Sequence, residues 1–587
     1  MSDAGFSAGR LLALYDRIGE APDAVARLRR FVLDLAVRGK LVEQDPADEP
    51  ATELLKRIAA EKARLVKAGE IKLRKVKARD REDPLVFPLP YGWAMTDLGS
   101  VAFKITDGAH KTPNYVESGV PFVSVKDFSG GTLDLSSTRF ITGAEHKVLY
   151  QRCDPRRGDI LLGRIGTLGK AVLVDTDVEF SLFVSVGMIR FDPDNIDAYF
   201  LRLLLNSPFV EAEFDRIKIG GGTHTNKLNL GDLHTVALPL PPLAEQHRIV
   251  AKVDELMGLC DRLEEERTRR EALRDRLTAA SLARLTAPDA DGEAFKSHAH
   301  FTLDNLPALT ARHGQIKTLR QTILNLAVRG KLVEQDTADE PALELLKQIK
   351  KRRQELAAAH GVRKKKPIEP LADEDALNLP FGWSADAFAN LINPTATISY
   401  GVLVPGPDVD DGIPFVRAQD LMLTDHPEKP SKTIAPEVEA SYARTRLVGG
   451  EILLCVVGSI GKIGVAPMHW AGANIARAVA RISPVDLVDR NYLLVFLRSD
   501  RAQGYFAEAT RTLAQPTLNV GLIEKLPVPL PPLAEQRCIV KKVDELMALC
   551  DRLETTLTTT DTTRRRLLEA LLHDALAPAA STQEAAE

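Results

Sequence analysis

Apolar residues recur every three or four positions in four stretches of the chain, and the stretches come in two matched pairs. Over residues 22–70, Leu28, Phe31, Val32 and Leu35 share one helical face, and Leu54, Leu55 and Ile58 form another. Gly39 and the Asp45-Pro46 step break this run, so the pattern predicts two helices joined by a turn. The segment Leu35–Asp45 returns unchanged as Leu326–Asp336, with Thr337 where the first copy has Pro46. Further along, Ile249, Val253, Leu256, Cys260 and Leu263 are spaced 4, 3, 4 and 3, and Ile539, Val543, Leu546, Cys550 and Leu553 repeat that spacing. A seam of this period fits an amphipathic helix lying on its own domain or two helices packed on each other; the near-identity of the seams favours mutual packing. From Ala244 to about Leu285 such a helix spans ~60 Å, a spacer's length.

Between the repeated blocks lie two stretches, 84–238 and 374–528, that match only sparsely. Pro90-Tyr91-Gly92-Trp93 and Pro380-Phe381-Gly382-Trp383 open them by halting the preceding helix and supplying an aromatic to a new core. Residues 120–125, 160–162, 413–418 and 452–457 read as strands, and 199–205 and 492–497 as helices. Residues 286–304 are polar, with Pro288, Asp289, Asp291 and Gly292, and predict a flexible joint; a disordered tail is expected after Ala577. The organisation expected is a helical region over 1–83, an insert over 84–238, a central region over 239–373, a second insert over 374–528, and a closing helix and tail over 529–587. One frame repeated around two different inserts implies a molecule that presents two readers in one geometry.

Composition narrows this little. The chain has 587 residues, 44% hydrophobic and 27% charged, enough for roughly three to five domains. Its five cysteines are scattered, and Cys260 and Cys550 occupy the same apolar slot of the two repeats, which points to core packing and a reducing compartment. No apolar run approaches a membrane span and no signal sequence opens the chain, so a cytoplasmic protein is expected. The net charge of −4 weighs mildly against nucleic acid, but basic runs follow both helical blocks: Lys72, Arg74, Lys75, Lys77 and Arg79, then Lys350, Lys351, Arg352, Arg353, Arg363, Lys364, Lys365 and Lys366. Each is a solvated helix end or a phosphate-facing surface.

A search for catalysis returns nothing. Gly163–Lys170 invites a phosphate-loop reading, but Arg164 stands where glycine is needed and Ala171 where a metal-binding hydroxyl is needed; Gly458–Ile463 fails likewise. A tight glycine turn between strands is the better account. No metal-ligand, nucleophile-elbow or amino-methyltransferase motif occurs, so no catalytic, cofactor-binding or metal residue is assigned. What remains in the inserts is polar and glycine-rich. The candidates for contact with DNA groove edges and phosphates are His110, Lys111, Thr112, Lys126, His224 and Lys227 in the first insert. In the second they are Tyr400, Arg417, Gln419, Arg511 and Gln515, each set against the plainer reading of a surface-loop residue.

With these residues in view, the chain resembles the specificity (S) subunits of type I restriction–modification enzymes over nearly its whole length. The most specific marks are Leu238–Val250 and its repeat Val528–Val540, each closing a variable insert and opening a long helix. The block Leu33–Ile58 resembles the subfamily with an extra N-terminal conserved region, and Gly158–Gly166 and Gly450–Gly458 resemble a framework element of its target recognition domains. The resemblance implies an α+β fold: two mixed α/β target recognition domains, separated by long antiparallel coiled-coil helices in an internal pseudo-two-fold repeat. It also implies double-stranded DNA as ligand, read as a split, asymmetric site. Two modification (M) subunits carrying S-adenosylmethionine and methylating adenine, and restriction (R) subunits using ATP and magnesium, are the implied partners. The chain itself would be non-catalytic and hold no cofactor. One departure matters: Ile398–Pro405 replaces the His110-Lys111-Thr112 loop in the second insert, so the two half-sites should differ. A coiled-coil adaptor displaying two protein-binding domains remains the alternative, and an enzyme with an unrecognised site a third.

Overall fold

The computed structural model describes residues 19–71, 87–220, 226–287, 292–363, 366–370, 378–510 and 516–576. The basic run from Lys72 to Arg79, the pair Lys364 and Lys365, and the tail after Leu576 lie outside them. The chain divides into two compact units, one of residues 1–269 and 560–587, the other of residues 270–559. Each contains one insert, one copy of the repeated block, the start of one long helix and the end of the other.

In the first unit the block forms helices Ala24–Val37 and Ala51–Lys67. The first stops because Gly39 takes a positive φ of 64°, letting the amide of Lys40 reach Leu35 O at 3.0 Å. A side chain at Gly39 is also excluded by packing, since a Cβ there would sit 2.3 Å from the Pro90 ring. Gly330 and Pro380 repeat the arrangement, with φ 64° and 2.5 Å. The turn that ends the block helix is thus the seat of the proline that opens the insert.

The strand Ala94–Asp97 pairs antiparallel with Ala237–Leu240, and Ser384–Ala387 pairs with Pro527–Leu530, so each insert leaves and re-enters its frame through one two-stranded ribbon. The repeated Pro-Pro-Leu-Ala-Glu-Gln motif closes that junction. Trp93 Nε1 donates to Glu245 Oε2 at 3.0 Å, and Trp383 Nε1 to Glu535 Oε2 at 2.9 Å. Gln246 accepts from the Asp197 amide and donates to Pro241 O; Gln536 does the same with Asp489 and Pro531. Both Gln side chains are fully buried, where every polar atom needs a partner.

The long helices run over Leu243–Leu285 and Leu533–Leu576. In the first unit, Arg267 reaches Ala21 O, Arg29 reaches Asp261 and Glu264, and Gln44 reaches Glu245, so the start of the first long helix runs antiparallel to Ala24–Val37. Arg565 pairs with Asp23, Arg27 with Glu569, and Lys40 with Leu576 O, so the end of the second long helix runs parallel to it. The two long helices are therefore antiparallel. The second unit repeats this around His313–Ala327: Gln315 pairs with Asp275 and Lys331 with Ala287 O on one side, Arg320 with Asp551 and Glu554 on the other.

This arrangement corrects the seam reading. Ile249, Val253 and Leu256 pack with Val32, Ala36, Val37 and Trp93 of their own unit, and Ile539, Val543 and Leu546 with Ile316, Ile323 and Leu324 of theirs. The block helix takes the seam because it carries an apolar face on both sides; its other face, with Ala24 and Phe31, covers Leu568 and Leu572. A second correction concerns 286–304. Residues 292–304 form a helix, because Phe295 and Ala299 pack on Leu282, Leu285 and Leu326; residues 288–291 lie outside the described residues.

The inserts share one plan. The first has a four-stranded antiparallel sheet in the order Ala102–Asp107, Val186–Phe191, Ile160–Gly163, Ala171–Leu173. The second has Ser399–Tyr400, Val479–Ile482, Ile452–Cys455, Ile463–Val465 in the same order. Each adds a three-stranded sheet containing a parallel pair, Val123 with Leu182 and Val416 with Ile475. The glycine turns after the third strands are as expected, with Gly166, Gly169, Gly458 and Gly461 all at positive φ. Lys462 is held on the carbonyls of Ala418 and Gln419, and Lys170 on that of Ser129, which leaves neither aimed at a nucleotide.

Candidate nucleic-acid interface

The edge strand of each four-stranded sheet ends at a glycine that the fold requires. A Cβ on Gly108 would lie 1.9 Å from Leu182 O, and one on Gly401 1.7 Å from Ile475 O. The next residue bonds to that same carbonyl, Ala109 at 2.7 Å and Val402 at 2.8 Å. Both loops therefore leave the sheet at the same point, and there the two inserts part. The first continues His110-Lys111-Thr112, all exposed; the second continues Leu403-Val404, 55% and 72% exposed, so a polar loop tip is exchanged for an apolar one.

The residue before the glycine changes with it. In the first insert it is Asp107, 1% exposed, whose Oδ2 accepts from Arg164 Nη1 at 2.9 Å. Arg164, 8% exposed, also donates to Val184 O and Leu228 O at 2.8 and 3.1 Å. Burial pushes the Arg164 guanidinium below its usual range and the Asp107 charge beside it opposes this, as a buried ion pair demands. In the second insert Tyr400 stands at that strand position and Val456 follows the partner strand where Arg164 follows the first. The Tyr400 hydroxyl donates to Leu518 O at 2.7 Å. Leu518 and Leu228 are equivalent, since each amide bonds the carbonyl of Val456 or Arg164, at 2.9 and 2.8 Å. One tyrosine thus reaches the acceptor that the first insert reaches with an ion pair. Burial raises the Tyr400 pKa, and its hydroxyl is committed to the fold.

The remaining candidates divide by exposure. His110 Nε2 lies 3.1 Å from Asp107 Oδ2 and 3.1 Å from Arg152 Nη2. With Lys111, Thr112, Glu145 and Arg152, these residues line a cavity of about 270 Å³. Lys126 and Gln419 occupy the same exposed position of a short helix that Asp127 or Asp420 closes by accepting from the Ser124 or Arg417 amide, at 2.7 and 2.8 Å. Arg417 itself turns inward to Asp420 and Ser431. Lys227 is exposed and bridges Ile165 and Ile219. His224, Arg511 and Gln515 lie outside the described residues. Of the second basic run, Arg353 is spent on Ile392 O and Asn390, and Arg352 on Asp486.

Sequence reasoning missed Asp107, Arg152 and Arg164. Their separations of 57 and 45 residues hide the cluster from any local motif. One signal was present: Arg152 and Arg444 both stand eight residues before the matched strands at Ile160 and Ile452.

The chain is similar to known proteins over most of its length. The family model for the type I restriction modification DNA specificity domain matches residues 90–272 and 408–560. The specificity subunit of the Escherichia coli type I restriction enzyme EcoEI is 29% identical over 576 residues, 94% of either chain. That of EcoAI, also from Escherichia coli, is 28% identical over 578 residues, again 94% of each. A solved chain from work on complex assembly and conformational transition of the type I R-M system covers 84% of this chain and 100% of its own, at 21% identity and a TM-score of 0.47. With two specificity-domain matches that together span more than half of its length, the chain belongs to the type I restriction–modification specificity subunits.

Proposed function

We propose that this chain reads a bipartite, asymmetric DNA sequence, one half with each target recognition domain, and holds the modification and restriction subunits that act on it. One observation carries the reading: two sheets of identical strand order release their loops at the same glycine, then present different side chains, His110-Lys111 in one and Leu403-Val404 in the other. Constant framework with divergent tips is what direct readout of two unlike half-sites requires. Among the candidates, His110, Lys111, Thr112, Lys126, Lys227 and Gln419 are exposed for such contacts.

The partners belong to the same proposal. Two modification subunits bring S-adenosylmethionine and methylate adenine; restriction subunits bring ATP and magnesium. A duplicated frame supports a duplicated partner. Tyr91 and Phe381 are 69% and 73% exposed in otherwise matching turns, the same anchor offered twice. The test is methylation mapping in cells carrying this chain and its modification subunit. We expect a split adenine-methylated motif, and exchange of residues 84–238 for another such domain should change one half of it only. A chain that supports no sequence-selective methylation, as a protein adaptor would, overturns the reading.

A further inference from the structure

The cluster around Asp107 holds more positive charge than the fold needs. A buried carboxylate requires one counter-charge, and buried Arg164 already supplies it. Yet Oδ1 of the same carboxylate takes a second guanidinium, that of Arg152, which is 54% exposed at the mouth of the cavity beside His110 and Lys111. Nη2 of Arg152 is engaged by Asp107 and lies beside His110; Nε and Nη1 have no partner among the described residues. The surplus cation is fixed from behind and open in front.

We propose that Arg152 is the base-reading residue of the first target recognition domain, contacting a guanine edge, with Asp107 as its positioning residue. This deepens the DNA-reading function and rests on it. The carboxylate decides between phosphate and base. A phosphate is an anion and needs only positive charge nearby. Asp107 instead fixes the direction of the Arg152 N–H groups, which a phosphate contact does not need. A base edge is neutral and is recognised through directed hydrogen bonds, which a guanidinium held in one orientation makes at lower entropic cost. Guanine, with O6 and N7 side by side as acceptors, is the edge that arginine fits. The second domain supplies the contrast. Arg444 occupies the equivalent position, exposed, but Tyr400 replaces the anchoring carboxylate. Without that anchor, Arg444 suits a phosphate.

The test is methylation, by the chain with its modification subunit, of a DNA library randomised in both half-sites. Arg152→Ala should lose discrimination at one position of the first half-site, on the order of tenfold or more, with the second half-site unchanged. Arg152→Lys, which keeps the charge and loses the fork, should not restore it. Asp107→Asn should relax the same position and steepen the salt dependence of binding, because the freed guanidinium becomes a better phosphate partner. Arg444→Ala should lower methylation at all sequences alike. Should Asp107→Asn fail to fold because Arg164 loses its counter-charge, the exposed Arg152 variants decide alone. A selective wild type whose first half-site is indifferent to Arg152→Ala, or fully restored by Arg152→Lys, overturns this inference and leaves the DNA-reading function standing. A wild type without sequence preference overturns both.

Discussion

Glu245 and Glu535 show how much work single residues do at the frame junction. Each lies under a tryptophan N–H at the foot of its insert, 1% and 4% exposed. Burial raises both carboxyls above the ordinary value of 4.5, and the tryptophan hydrogen bonds only partly oppose it. The consequence for stability has a definite sign. A group whose folded pKa lies above its unfolded one contributes fully below about 4.5, and that contribution is lost as pH rises through the folded value. The paired variants Glu245→Gln and Glu535→Gln should therefore show a flatter decline of the urea midpoint over that window than the wild type. Parallel curves would contradict the assignment. These two glutamates were visible in the sequence as part of a repeated motif. Their tryptophan partners, both 152 residues away, were not, because nothing local links the two positions. A separation of 57 residues likewise hid the exchange of Asp107 and Arg164 for Tyr400 and Val456, which reads in the sequence as two unrelated differences.

At the level of elements, periodicity was a sound guide to what forms and a poor one to what it packs on. The helices Leu243–Leu285 and Leu533–Leu576 and the central strands of each insert follow from their patterns. Helix 292–304 did not, since its few apolar residues find their partners only in three dimensions. The seams fit either partner equally, and the block helix won because it is apolar on two sides. That double role makes a prediction. Leu568, fully buried, belongs to the second long helix but packs on Ala24 and Phe31 of the first unit. Leu568→Ala should cost ~2–5 kcal/mol. By hydrogen exchange, the loss should fall on amides of residues 24–67 and spare those of 313–359. Uniform loss in both blocks would refute the assignment of that helix end to the first unit.

For the molecule as a whole, both long helices pass between the units, at Arg269–Arg270 and at Thr559–Thr560. Insertions at those two points leave each unit's interior intact. Adding one turn, four residues, to both helices lengthens them by about 6 Å. At ~3.4 Å per base pair along one strand, the unread gap between half-sites should grow by about one or two base pairs, with both half-sites unchanged. Methylation mapping of the lengthened chain measures this directly; an unmoved gap would remove the spacer role from these helices.

The return of residues 560–576 to the first unit sets the order in which the protein can be completed. Synthesis runs from the N-terminus, and domains fold as they emerge. Here the helix Ala24–Val37, with Phe31 and Leu28 on its outer face, must wait for residues 560–576 before that face is covered. The second unit, made entirely of residues 270–559, is free to close first. Loss of residues 560–576 would accordingly cripple the unit built on residues 24–67, and a nascent chain would carry an uncovered apolar strip all the while that residues 38–559 are being made.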